Sequence, residues 1–179
     1  MSTLEVKAIQ APSGYKLAMP AGHVLKVVNV IKTDTWTYSG STTFQDITGL
    51  AAAITPTSSS SKILVQVNIN INGSERYHGA RLLRGSTLIG AGDTSSNRSS
   101  VSISSGSNQD EPNNPYVMRN SSFSFLDSPS TTSATTYKVQ AVSTQSASAT
   151  TYVNRIQTDG DSAWSHRGSS TITLTEVSA

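Results

Sequence analysis

The residues able to do chemistry are few and far apart. Three histidines, His23, His78 and His166, show neither H-x-H nor H-E-x-x-H spacing, so each reads as a surface or strand-end side chain rather than a metal ligand. Serine is abundant, yet no G-x-S-x-G elbow presents one as a nucleophile. With so many hydroxyls, a chance approach to a histidine carries no meaning. Glycoside hydrolysis needs two facing carboxylates. The candidates Asp93, Asp110, Glu111, Asp127, Asp159 and Asp161 all lie beside Gly, Asn, Ser or Pro, where aspartate ordinarily stabilises a turn. Asp159-Gly160-Asp161 looks like half of a calcium loop, but the remaining ligand order and the later Glu are missing. Cysteine is absent, which removes disulfides, thiolate zinc sites and thiol nucleophiles together. The expectation is a protein that is not an enzyme and holds neither metal nor cofactor.

Aromatic side chains offer binding instead of bond-making. Trp36, Tyr38 and Trp164, with Tyr152, His166 and Arg167 near them in sequence, are the types that build a stacking platform for a sugar. The same types serve equally as core or subunit-contact residues. Both readings stand at this point.

The elements that must position these residues are strands. The chain has 179 residues, with 35% hydrophobic and only 13% charged. Ser and Thr supply about thirty per cent, a composition suited to half-exposed pleated surfaces and to turns. Ile63, Val65, Val67, Ile69 and Ile71 alternate with Leu64, Gln66, Asn68, Asn70 and Asn72, a period of two rather than 3.6. The second face of that strand is amide-rich and uncharged, fit for a wet outer sheet or a polar subunit contact. Further strands are expected at 24–31, 33–38, 43–48, 50–54, 79–84, 87–91, 122–126, 135–142, 150–155 and 171–177, with Gly85-Ser86 forming a tight hairpin. Ser95 to Tyr116 reads as a long loop, with Val101 and Ile103 as its one short stretch of strand character. Asp127-Ser128-Pro129 and Asp159-Gly160-Asp161 read as turns.

Residues 1–21, broken by Pro12, Gly14, Pro20 and Gly22, read as an extended arm ahead of a single domain at 22–179. Leu4, Val6 and Ile9 are its apolar positions and the expected grip on a neighbouring protein. Net charge is +2, with the cations scattered singly, so nucleic acid is not an expected partner. No apolar run approaches the roughly eighteen residues of a membrane span, and MSTLEVKAIQ lacks the order of a secretory signal. Synthesis in a reducing cytoplasm without membrane attachment is the expectation. Many short strands without a helical pattern mean a sandwich or barrel, and eight-stranded jelly rolls are frequent in capsid and lectin domains.

Particular stretches also carry a likeness. RLLRGSTLIGAGD (Arg81 to Asp93), SFLDSPSTTSATTYKVQ (Ser124 to Gln140), YVNR (Tyr152 to Arg155) and STITLTEV (Ser170 to Val177) follow one another as in a domain of virion structural proteins of marine tailed phages and cyanophages. GHVLKVV and TPTSSSSKILVQV match the same pattern, so the chain resembles that family from about Gly22 to Val177. The resemblance implies an antiparallel, jelly-roll-like β-sandwich of the kind found as trimers in capsid decorations and fibre knobs. Its C-terminal strand would run through the middle of a sheet. By the same resemblance the chain is expected on the virion surface, made in the host cytoplasm, as a trimeric decoration protein that binds other virion proteins of the capsid or tail and stabilises the shell. The alternative it leaves open is a tail- or head-fibre knob contacting a host surface glycan. No coiled-coil, collagen-like or β-helical repeat is present to build a shaft.

Overall fold

The computed structural model describes residues 13, 20–39, 42–74, 77–106, 115–144 and 146–179, and every regular element within them is a strand. In chain order these are β1 (Val24–Lys32), β2 (Trp36–Tyr38), β3 (Gln45–Ile54), β4 (Lys62–Gly73), β5 (Tyr77–Arg84) and β6 (Thr87–Ile89). They continue with β7 (Ile103–Gly106), β8 (Arg119–Asp127), β9 (Thr135–Ser143), β10 (Thr151–Val153) and β11 (Ser170–Val177). Leu4, Val6 and Ile9 lie outside the described residues.

Pairing onto β4 organises one sheet. β8 runs antiparallel along one side of it, from Ile63 opposite Asp127 to Ile71 opposite Arg119. On the other side β11 covers its first half, and β10 continues beyond, with Val153 opposite Ile71. β1 closes outside β11, and β2 outside β10. The second sheet has the order β3-β9-β5, with β6 and β7 both pairing with the far side of β5. Setting aside the short β2, β6 and β10, the sheets read β1-β11-β4-β8 and β3-β9-β5-β7. With the eight strands lettered A to H in chain order, these are A-H-C-F and B-G-D-E, the double Greek key of a jelly roll. The fold is therefore an all-β antiparallel sandwich, and its C-terminal strand β11 lies between β1 and β4 as expected.

The core is the row of inward positions. Ile63, Val65, Val67, Ile69 and Ile71 of β4 meet Leu50, Ala52 and Ile54 of β3, Leu82 of β5 and Tyr137 and Val139 of β9, all essentially buried. Two adjacent strands expected at 43–48 and 50–54 are a single strand, β3, whose register with β9 shifts between Asp46 and Ala51. Gly49 sits in that bulge at φ +84, a conformation that β-carbons disfavour.

Charged groups also turn inward at the ends of the core. Lys32 continues the inward series Val28, Val30 and is buried, with its Nζ 2.8 Å from Asp34 Oδ2. Glu176 continues Ile172 and Leu174, and its Oε1 accepts from both the amide and the hydroxyl of Thr57 at 2.6 Å. Asp127 accepts from Arg84 Nη1 at 2.8 Å and from the Tyr137 hydroxyl at 2.7 Å. Burial pushes the Tyr137 phenol up, reinforced by Asp127, so the phenol stays a donor. Asn154, buried at φ +62, donates to the carbonyls of Lys32 and Asp34 and accepts from Ser170 Oγ at 2.6 Å. It ties the end of β1 to the start of β11.

Burial alone raises the Glu176 carboxyl, but the two Thr57 bonds and the charge of Lys26 outweigh it and hold the group below its ordinary value. A carboxylate with a folded-state pKa below its unfolded value adds stability above the unfolded value, near 4.5, and loses it as pH falls through the lower folded value. Glu176→Gln is therefore expected to be less stable near neutral pH by about 1–3 kcal/mol. It should also lose less stability than the wild type on acidification. Urea unfolding of both proteins across the acid range checks this, and parallel acid slopes would contradict it.

Candidate interaction surfaces

Strand alternation sends Leu64, Gln66, Asn68 and Asn70 of β4 to the outside of the first sheet. Register then lays out rows across it. Val27, Thr175, Leu64 and Leu126 form one; Asn29, Thr173, Gln66 and Ser124 the next; Ile31, Thr171, Asn68 and Ser122 the third; Asn70 and Asn120 the last. None of these fourteen side chains is charged; the row beyond Leu64, of Val24, Val177 and Lys62, ends the face with one lysine, whose Nζ donates to Ser128 Oγ at 2.8 Å. Val27, Ile31 and Leu126, on the edge strands β1 and β8, are more than half exposed, and Leu64 stands on the central strand between Thr175 and Leu126.

Hydrogen bonds hold the amides of this face in place. Asn120 Nδ2 donates to Asn68 Oδ1 at 2.7 Å and to Asn70 Oδ1 at 3.0 Å, and Asn29 Nδ2 donates to Thr173 Oγ1 at 2.7 Å. Short Ser and Thr side chains between the longer ones leave a shallow trough of about 520 Å³, walled by Gln66, Asn68, Ser122, Ser124, Thr171 and Thr173. Each carries both donors and acceptors in reach of an incoming surface.

The outside of the second sheet is built differently. Asp46 accepts from Lys138 Nζ and Gln140 Nε2, each at 2.7 Å, and Arg81 stacks over Phe44 at 3.7 Å while its Nε donates to Gln140. Those bonds from Lys138 and Gln140 hold the Asp46 carboxyl below its ordinary value. One outer face is thus a solvated network of ion pairs, and the other is uncharged except for Lys62 at its end.

The aromatic set expected to form a sugar platform is divided. Trp36 and Tyr38 stack with ring centroids 5.9 Å apart, opposite the buried Val153 and Thr151, and Trp36 packs against the core. Tyr152 points to the other face, with the Arg155 guanidinium 4.8 Å over its ring. Trp164 is 71% exposed on the segment 156–168, which Asp159 pins by accepting from Arg167 Nη2 at 2.7 Å. Thr158 N, donating to Pro115 O, fastens the same segment. No ring contact joins Trp164 to Trp36 among the described residues.

Other expectations are corrected in detail. Of the surface and strand-end alternatives, His78 is the strand-end one: second residue of β5, it is buried, with Nδ1 2.9 Å from Thr151 Oγ1, and it fills the space a β-carbon at Gly73 would need. Asp127 and Asp159 bond cationic side chains instead of stabilising turns through the backbone. Asp110 and Glu111 lie outside the described residues. Among the described residues no three His, Asp or Glu side chains form a group able to hold a metal ion. Glu176 and Lys32 were missed by sequence reasoning, although each stands two residues beyond an inward apolar position, a signal that could have found them.

Comparison with protein families and with curated proteins finds no match to this chain. Among solved structures, one of infectious bursal disease virus, Gt strain, aligns over 96% of this chain and 44% of that chain, at 13% identity and a TM-score of 0.45. This chain therefore spans less than half of that protein's length, and agreement this loose indicates no shared role.

The divided aromatics give a test. Trp36→Ala should cost about 1–3 kcal/mol, below the loss for a fully buried Trp because one side of the ring meets solvent. Trp164→Ala should change stability by under about 0.5 kcal/mol. Urea unfolding of the two variants decides, and equal losses would contradict the placement.

Proposed function

We propose that this chain is an exposed structural component of a virus particle, a decoration protein that assembles with copies of itself and stabilises a shell by the area it covers. The observation that carries the reading is the outer face of the β1-β11-β4-β8 sheet, whose centre is free of charge with Lys62 only at one end, on a domain whose opposite face is ion-paired. Depletion of charge at the centre of a patch is the compositional mark of a contact surface. Amide and hydroxyl groups there satisfy their bonds equally well against water or a second protein, so the domain stays soluble before assembly. The sequence motifs resembling virion proteins, the jelly-roll topology and the central β11 support the same reading.

In this reading the face meets a second and a third copy about a threefold axis, and Leu4, Val6 and Ile9 of the arm bind the shell. No bond is made or broken. A fibre knob contacting a host glycan is the second reading, favoured by the wide exposure of Trp164 at the end of a pinned loop.

Placing two like charges on the face by Gln66→Glu with Thr173→Glu tests assembly. Sedimentation should show trimers for the wild type and monomers for the double variant at tens of micromolar, with both unfolding at similar urea concentrations. A monomeric wild type, or a variant that still assembles, would overturn the contact. Removing the residues before Pro20 should leave a folded domain that no longer attaches to particles, and gold labelling should mark the shell rather than appendages.

A further inference from the structure

A second depression, apart from the amide-rich face, lies beside β5 and β7 and holds about 360 Å³, within the range of small-ligand sites. One wall is the segment 92–101, which doubles back on itself. Gly92 N donates to Val101 O at 3.2 Å, Arg98 N to Ser95 O at 3.1 Å, and Ser96 takes a left-handed φ of 53 at the tip. Two bonds fasten its base to β5: Ser102 N donates to Ala80 O, and Leu82 N to Ser102 Oγ. Gly79 makes this closure possible, because a β-carbon there would stand 2.7 Å from Val101 Cγ1. The opposite wall is Tyr77, 59% exposed, whose carbonyl accepts from Thr144 N at 3.0 Å.

The chemistry of the lining is selective. Tyr77 offers an aromatic surface, Asn97 a side-chain amide, Ser104 and Thr144 hydroxyls, and Arg98 a guanidinium whose Nη1 is directed at Ser95 of its own turn. A ring face for C–H groups beside planar, paired donors and acceptors is complementary to a pyranose with vicinal hydroxyls. A nucleotide would need several cations for its phosphates, and the described lining supplies one, Arg98. Among the described lining residues one is a guanidinium and none is a carboxylate, which favours a sugar bearing a carboxylate that Arg98 meets with paired bonds.

The geometry points to a saccharide-binding site here that takes uronic-acid sugars, with Tyr77 as the stacking surface and Arg98 as the carboxylate partner. The site goes beyond the structural role proposed above and holds whether the chain coats a shell or tips a fibre. It is separate from Trp36, Tyr38 and Trp164.

Amide NMR spectra of the full chain are recorded with tetrasaccharides of galacturonate, glucuronate, mannuronate and guluronate, and with neutral maltotetraose and cellotetraose. At least one uronate should shift the amides of Tyr77, Arg98, Ser104 and Thr144, more strongly than either neutral sugar. Tyr77→Ala should weaken that binding at least tenfold, and Arg98→Ala should abolish the preference for the acidic sugar. Should Tyr77→Ala fail to fold, Asn97→Ala on the exposed turn gives the same reading. Silence with every sugar, shifts centred on Trp164, equal response to neutral sugars, or unchanged binding in folded variants would overturn the proposal.

Discussion

The inward row of β4 is the constraint on which the rest of the molecule depends. Five branched side chains, each excluded from water, contribute about 1.5–3 kcal/mol apiece relative to exposure. Three other strands take their register from this one, β8 on one side and β11 and β10 on the other. Moving β4 by one residue would expose the whole row and carry those partners out of step as well. The amide-rich centre of the outer face follows from the same alternation: beyond Lys62 and Leu64, what β4 turns outward is Gln66, Asn68 and Asn70, and its neighbours add Ser, Thr and Asn to the same rows.

Polar groups close the sandwich where that apolar row ends. Arg84, Asp127 and Tyr137 join β5, β8 and β9; Asn154 and Ser170 join β1 to β11; Glu176 receives the loop after β3 through Thr57. Each carboxylate or amide there has specific donors, so desolvation is offset by bonds whose geometry admits few alternatives. Apart from Thr57, these residues fall within RLLRG, SFLDS, TTYK, YVNR and STITLTEV, stretches that stood out in the sequence. Those stretches therefore fasten the sandwich shut, whereas its contact surfaces are built from other positions of the same strands.

That distinction explains how far the sequence could be read. Period-two runs such as Ile63 to Asn72 and Thr171 to Val177 announced their strands, because burial on one face leaves a pattern in the chain itself. β3 appeared as two strands because Gly49 breaks the alternation, and only pairing with β9 shows a bulge inside a continuous ladder. The expected loop from Ser95 holds a doubled-back segment and β7, whose seats on β5 come from Gly79 and Ala80, residues distant in sequence. Trp36 and Trp164 looked equivalent as residue types, yet one lies over the core and the other stands in solvent, a difference set wholly by tertiary packing. The depression beside Tyr77 was invisible for the same reason.

Native-state hydrogen exchange at β4 tests the central claim most directly. The amides from Val65 to Ile71 should exchange only through global unfolding, with a free energy matching that from urea denaturation and exceeding that of the β2 and β6 amides. Exchange of the β4 amides through a cheaper local opening, while β5 and β9 remain protected, would show that the molecule is organised around the other sheet.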